Sequence, residues 1–405
     1  MVVVRRTGTL TKAKWEFSRK VAAIGSGKHP SGFFPEKAPL ELAMYAIKEA
    51  LDDAGISKDE IDVTIPESVF VDSMATADMV WSRLIEELGI GKTARHNFQC
   101  VSGGSSALSL IKVAAGLITT QQAETVLIVH MDRLGTGATP EFIRDAFGAY
   151  GIYEEWEFPY GLNYNLIGSM FANRFMHETG TTLEQLASVI VSLRKWANLN
   201  PNALLKRELT VDEVLQSKVV AYPATSRMCN IVVDGASAVI MTSAEKAKKL
   251  NTTPVYLEGI GSAVTHFSLM TEPDLTRMAY KRTAMEAYEN AGVGPEDIDI
   301  VEFYDSYPIF LLMQLEEMGF CERGKAGQFV MDGNTSPGGV LPMTTNGGML
   351  AEGHLGGGGG TSLFAEMVRQ LRGKCGSRQV EGARRGILTG IGGQYMDSHV
   401  SIWGR

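Results

Sequence analysis

The stretch EALDDAGISKDEID (49–62) returns 237 positions later as EAYENAGVGPEDID (286–299), identical at six of fourteen positions. In both copies a helix closes on Ala-Gly and an acidic turn leads toward a strand, SVFVDSM in the first and IDIVEFYD in the second. A repeat this long is too widely spaced for a solenoid, so it predicts a duplication, two similar halves packed about a pseudo-twofold axis. Outward from the first copy, VAAIG (21–25) reads as a buried strand. LELAMYAIKEALDDAG (40–55) carries apolar residues at helical spacing, with Gly55 as its cap. DMVWSRLIEELGI then reads as a helix, a short strand ends near Cys100, SGGSSALSLIKVAAGLI reads as a helix, and TVLIVHMD (125–132) as a strand. Such alternation predicts an α/β fold in layers.

Between the halves, residues from about 133 to 250 do not repeat. The stretch opens with Phe142, Phe147, Tyr150, Tyr153, Trp156, Phe158, Tyr160 and Tyr164, which fit an insertion that lines an apolar substrate site or equally one that packs its own small core. The 405 residues carry 38 Lys+Arg against 46 Asp+Glu, and a net charge of −8 is not the footprint of a nucleic-acid binder. The first twenty residues lack the apolar run of a signal peptide, and nowhere do about 18 apolar residues run unbroken, so the expected location is cytoplasmic, away from membranes. Cys100, Cys229, Cys321 and Cys375 are far apart and form no metal or disulfide pattern.

Four segments can carry chemistry. Cys100 stands just ahead of VSGGSSAL, where the positive end of the following helix would favour a thiolate, and the small residues 102–107 would let that helix approach another backbone closely. A lone cysteine in an apolar chain is more often a core residue. TTNGGMLAEGHLGGGGGTSLF (344–364) sets His354 among glycines ahead of a long helix, and the repeat makes His354 and Cys100 converge; the glycine run lacks a nucleotide-binding pattern. VEFYDSYPI (301–309) places Tyr304, Asp305 and Ser306 at a strand exit. GILTGIGGQYMDS (386–398) ends a strand on Gly392 and Gly393, whose amides suit an oxyanion hole.

Cys-x-Ser-Gly, V-E-x-x-D, N-G-G-x-L-x-x-G-H and a final G-x-G-G, in this order, resemble the thiolase superfamily over nearly the whole chain. The opening VAAIGSGKHPSGFFPEKAPLELA, WEFPYG (156–161) and VVDGASAVIMTS (232–243) are similar to the sterol-carrier-protein-type thiolases. The resemblance implies a duplicated five-layered αβαβα fold, with residues 20–132 and 233–254 as the first half, 133–232 as an inserted loop domain and 255–405 as the second half. It implies a homodimeric core and a Claisen-type reaction in which acyl-CoA and coenzyme A are substrates and no cofactor or metal is held. Cys100 would take the acyl group, His354 would deprotonate it, and the amides of Cys100 and Gly392 would form an oxyanion hole.

Departures from the pattern sharpen the expectation. Tyr304 stands where the family has Asn or His, so an oxyanion donor would be a phenol. Gly390 replaces the acid-base cysteine of C-x-G-G, and Ser306 replaces a further cysteine, which leaves the second proton-transfer group to Tyr304 or to the insertion. Leu355 replaces the proline after Gly-His, as if for a bulky acyl group. Similar departures occur in members resembling partners of a small zinc-ribbon/OB-fold protein, and such a partner is expected here.

The resulting expectation is a thiolase that cleaves a 3-oxoacyl-CoA with CoA, or runs the reverse condensation, on an aromatic or branched substrate such as 2-benzoylsuccinyl-CoA. The competing readings are a thiolase-like retro-aldolase acting on a 3-hydroxyacyl-CoA, which Tyr304 favours and Cys100 with His354 disfavours, and a non-catalytic subunit. His130, at a strand end, reads as a packed histidine. Arg227 and Lys206 read as cations on solvated faces.

Overall fold

The computed structural model describes residues 17–67, 80–137, 139, 141–142, 152–153, 155–265, 268–272 and 274–405. The first half runs β1 (Val21–Lys28), α1 (Pro39–Ala54), β2 (Val63–Glu67), α2 (Val80–Leu88), β3 (His96–Asn97), α3 (Ser106–Thr119) and β4 (Thr125–Arg133). Helix α1 starts on a proline, which costs nothing where the N–H has no partner anyway, and stops at Gly55 with φ +69°. The strand after the first acidic turn is Val63–Glu67, earlier than expected; SVFVDSM (68–74) lies outside the described residues.

An insertion then supplies α4 (Tyr164–Thr179) and α5 (Leu183–Asn198), followed by the short pair β5 (Val219–Ala221) and β6 (Ala224–Thr225). The chain returns through β7 (Asp234–Ser243) and enters the second half: β8 (Val255–Val264), α6 (Tyr280–Ala291), β9 (Ile300–Glu302), α7 (Pro308–Glu317), α8 (Gly359–Leu371), β10 (Arg385–Gly392) and β11 (Asp397–Gly404).

The strand order is β3-β2-β4-β7-β1-β8-β11-β10-β9. In the first half β2 runs parallel to β4, and β7 lies antiparallel between β4 and β1. The second half repeats this with β9, β10, β11 and β8. The two half-sheets meet edge to edge where Ala22 and Ala23 pair with Tyr256 and Val255.

Alternation along the strands sorts the layers. Ala22, Ile24, Leu127, Val129, Ala238 and Ile240 pack outward with α1. Val21, Ala23, Val126, Ile128, Val239 and Met241 face the larger core, which α3 and α8 share between the half-sheets. With α6 against β8 and β11 on the far side, the layers run αβαβα, the duplicated architecture that the repeat predicts.

Each outer helix sits unusually close to its strand. A Cβ on Gly25 would lie 2.3 Å from the Ala50 carbonyl oxygen, and one on Gly259 would lie 2.1 Å from that of Ala287. Glycine at these positions lets the helix backbone rest directly on the sheet.

Candidate active site

Cys100 occupies the loop between β3 and α3 and is partly buried. That loop is built from serines. The Ser102 amide donates to Ser106 Oγ (2.8 Å), the Ser106 hydroxyl donates to the Gly103 carbonyl (2.6 Å), and Ser102 Oγ lies 2.8 Å from Ser109 Oγ. Ser105 Oγ lies 2.6 Å from Asp397 Oδ2 at the start of β11, and Asp397 in turn holds His399, whose other ring nitrogen meets Ser262 Oγ at 2.9 Å. A chain of polar contacts therefore fastens the first-half cysteine loop to the second half.

The first helical residue is Ser106, six positions beyond Cys100. The helix dipole acts only within its first turn, so it does not depress this thiol. Burial raises the Cys100 pKa instead, and the charge of Glu67 raises it further. The expected thiolate is a thiol at rest, and a base must take its proton.

The small residues after Cys100 serve close packing. A Cβ on Gly104 would lie 2.3 Å from the Ile391 carbonyl oxygen and 2.6 Å from the Tyr304 hydroxyl. One on Gly392 would lie 2.9 Å from the Ser102 carbonyl oxygen. The Cys100 loop, the β10 turn at Gly392 and the phenol of Tyr304 thus meet at one place. Tyr304 is 4% exposed, its amide donates to Thr389 Oγ1 (2.8 Å), and burial holds its hydroxyl far above the usual phenol range, so it is a neutral donor.

Asp305 plays a different part. Its carboxylate accepts the amides of Met349 (2.9 Å) and Leu350 (3.0 Å), tying the exit of β9 to the N-G-G segment ahead of His354. Burial pushes its pKa up to about 7 despite those two donors. Ser306 is buried beside it, and its carbonyl accepts from Asn230 Nδ2 (3.3 Å). Asn346 continues the same scaffold, accepting the Gly348 amide (2.8 Å) and donating to Glu352 (2.7 Å), which pairs with the buried Lys28.

His354 is held by its backbone: its amide donates to the Ile231 carbonyl (2.8 Å), and its own carbonyl accepts from Val233 (2.9 Å). Its ring is buried, its Nδ1 has no partner among the described residues, and burial pushes its pKa down to about 4. The imidazole is neutral at ordinary pH and can act as a base. The glycines after it are buried contacts: a Cβ on Gly358 would collide with the His130 ring at 1.9 Å, and one on Gly360 would lie 2.9 Å from Ala107 Cβ on α3.

Two buried groups of the first half lie beside the site: His130, which the sequence reads as a packed histidine, and Glu67, which it does not single out. His130, within β4, is fully buried, sits 3.4 Å from Asp132 and interacts with His354; burial takes its pKa down to about 3. Glu67 ends β2 in register with His130, is fully buried, and has its pKa pushed up to about 8 by burial. The repeat carried the clue, because the offset of 237 that relates the two copies places Glu67 opposite Tyr304.

The aromatic insertion divides. Trp156, Phe158 and Tyr160 are exposed, so they do not pack a core of their own. Tyr164 instead packs edge-on to Tyr395, which stacks on Phe310 at 4.1 Å, and Tyr307 donates to Asn165 Oδ1 (2.5 Å) beside them. Phe147 and Tyr150 lie outside the described residues.

Residues 261–405 match the family described as "Thiolase C-terminal domain-like". The chain is 32% identical over 393 residues to an acetyl-CoA acetyltransferase of Methanothermobacter thermautotrophicus, an alignment covering 96% of this chain and all of the relative. The chain belongs to the thiolase superfamily. It is an enzyme of the acyltransferase family, and sterol carrier protein 2 of Gallus gallus, 27% identical over 367 residues, places it with the sterol-carrier-type thiolases. The benzoylsuccinyl-CoA thiolase subunit BbsB of Thauera aromatica is 39% identical over 230 residues, which are 56% of this chain and 59% of that subunit. Among solved thiolase-like structures, an Ltp2-ChsH2(DUF35) aldolase superposes with a TM-score of 0.83 at 28% identity, covering 96% of this chain and 98% of the other.

Proposed function

We propose that this thiolase forms an acyl-enzyme on Cys100, cleaving a 3-oxoacyl-CoA with coenzyme A or running the reverse condensation. The observation that carries the reading is the meeting of the Cys100 loop, the Gly392 turn and the Tyr304 hydroxyl around Gly104. His354, neutral and with a free ring nitrogen, takes the Cys100 proton. The thiolate attacks the 3-carbonyl carbon. Amides of Cys100 and Gly392 hold the oxygen of the acyl-enzyme step, while the Tyr304 phenol and His354 hold the thioester oxygen of the enolate. Coenzyme A is a substrate, and no bound cofactor enters.

The similarity to the benzoylsuccinyl-CoA thiolase subunit supports an aromatic or branched acyl group, and Leu355 beside the Gly-His pair supports a reshaped acyl site. The names of that subunit and of the aldolase complex support a partner protein, which in this reading is a small zinc-ribbon/OB-fold protein on a homodimeric core. No helix among the described residues is long and apolar enough to cross a membrane, consistent with a cytoplasmic enzyme.

A second reading is a retro-aldolase for 3-hydroxyacyl-CoA, favoured by the phenol of Tyr304 in the site and by the likeness to the aldolase structure. Intact-protein mass spectrometry with a panel of 3-oxoacyl-CoA esters separates the two. An adduct on wild type, absent in Cys100→Ala and discharged by free CoA, establishes acyl transfer. Cleavage of a 3-hydroxyacyl-CoA that survives Cys100→Ala, without any adduct, establishes the aldolase.

A further inference from the structure

We propose that Glu67 is the second proton-transfer group of this site, the acid that protonates the departing enolate and the base that then activates coenzyme A. The inference rests on the acyl-transfer reading of Cys100. It starts from a vacancy: Gly390 stands at the C-x-G-G position where many thiolases carry an acid-base cysteine. Burial raises the thiols of Cys229, Cys321 and Cys375, and Cys229, the one nearest the site, reaches the Thr225 carbonyl at 3.5 Å.

Geometry points to Glu67. It lies at the end of β2, the strand that the duplication pairs with β9, and the repeat offset sets it opposite Tyr304. The exits of equivalent strands converge across the pseudo-twofold axis, and Glu67 is close enough to influence both Cys100 and Tyr304 by its charge. Its Oε2 accepts the Thr361 hydroxyl at the start of α8, and the Ser106 hydroxyl at the start of α3 also reaches it. Its Oε1 has no partner among the described residues although the side chain is fully buried.

A buried carboxyl oxygen without a partner is costly to keep unless something needs it. The other titratable groups facing this position are His130 on β4, with His354 behind it, Tyr304 after β9 and Cys100 itself. None of them places a positive charge on it at neutral pH, because burial keeps both histidines neutral. Glu67 therefore rests as the acid, with a pKa near 8.

The proton count closes. His354 takes the Cys100 proton, the thiolate adds to the 3-carbonyl, and the C2–C3 bond breaks with its electron pair going to the enolate of the departing thioester. Glu67 gives its proton to C2. The Glu67 carboxylate then takes the proton of the incoming coenzyme A thiol, whose sulfur displaces Cys100 from the acyl group. His354 returns its proton to Cys100, and Glu67 ends protonated as it began.

The test separates acid-base work at C2 from acylation. Wild type and Glu67→Gln are incubated with acetyl-CoA and the panel's other acyl-CoA esters in deuterated buffer, α-hydrogen exchange is followed by NMR, and Cys100 acylation by mass spectrometry. Glutamine matches the shape of the protonated acid. The expected result is a Cys100 adduct that still forms but more slowly, because the departing coenzyme A thiolate loses its proton donor, α-hydrogen exchange slowed at least 100-fold and by more than acylation, and loss of the alkaline fall that wild-type cleavage shows through about pH 8. Exchange that Glu67→Gln leaves intact, a wild type that acylates but exchanges no α-hydrogen, or a wild-type profile without the alkaline limb each overturns the proposal. Failure of every ester to acylate wild-type Cys100 instead overturns the acyl-transfer reading beneath it.

Discussion

The two halves share one scaffold and, in the proposed mechanism, divide the chemistry between them. Each has an outer helix laid on glycines of its first strand, a parallel pair of inner strands, and a central helix preceded by a reactive loop. The first half sends in Cys100 and the acid Glu67; the second sends in His354, Tyr304 and the Gly392 turn. At matched positions Glu67 faces Tyr304, and the register that sets His130 beside Glu67 continues in the second half toward Gly390. The duplication gives two equivalent strand ends, one carrying a carboxyl at Glu67 and the other a phenol at Tyr304. The scaffold tolerates this because each strand end is fixed by its own sheet, leaving the last side chain free to vary.

Breaking the reactive loops should give the largest effects. Cys100→Ala removes the nucleophile and should lower kcat by roughly 10^6-fold, read as loss of both turnover and adduct. His354→Ala removes the base for a thiol that burial keeps protonated, and should cost about 10^2- to 10^4-fold. Because the His354 pKa lies at about 4, wild-type activity should hold as pH falls through 6 and drop only near 4, where the imidazole takes a proton. Tyr304→Phe takes away one donor and should cost on the order of 10^2-fold in kcat with little change in KM. A loss in KM alone would make Tyr304 a wall of the acyl site and weaken its match with Glu67.

Much of the fold was legible because hydrophobic period and cap residues agree along α1, α3 and β4, and because the copies at 49–62 and 286–299 declare the duplication. The site was legible where a residue sits in a motif: the Cys100 loop, Gly392 and Tyr304 meet around Gly104, and Asp305 braces the segment ahead of His354. Sequence proximity misled in one respect. Cys100 lies near a helix in the chain but six residues short of its first turn, and burial, which spacing cannot show, decides its pKa. Glu67 stayed hidden for the same reason, since a strand-end acid reads as ordinary until burial on every side is known, whereas His130 is packed as the sequence suggests.

The strand-end acid also leaves a mark on stability. Glu67 titrates near 4.5 when exposed and at about 8 in the fold, so the folded state holds its proton more tightly. The associated stability is complete below about pH 4.5 and is lost as pH rises through about 8. Glu67→Gln removes this dependence, so its stability relative to wild type should grow across that window by a few kcal/mol at most, measured by urea denaturation at stepped pH. A difference that stays flat with pH would mean that the folded state does not hold Glu67 protonated.

The outer layers offer the smallest and cleanest test of the likeness between halves. Gly25 and Gly259 occupy corresponding places on β1 and β8, and an added methyl would meet a helix carbonyl at 2.3 Å in one half and 2.1 Å in the other. Backbone cannot yield as a flexible side chain can, so each alanine must push its helix outward, at about 1 to 3 kcal/mol. The two substitutions press on different helices with no shared partner, so the double variant should lose the sum within about 0.5 kcal/mol, and catalysis should change little because neither strand end moves. A much larger loss in one half would show that the halves, alike in topology, are not alike in rigidity. The half that yields less would then be the one whose outer helix braces its reactive loop, a division of mechanical work alongside the division of chemistry.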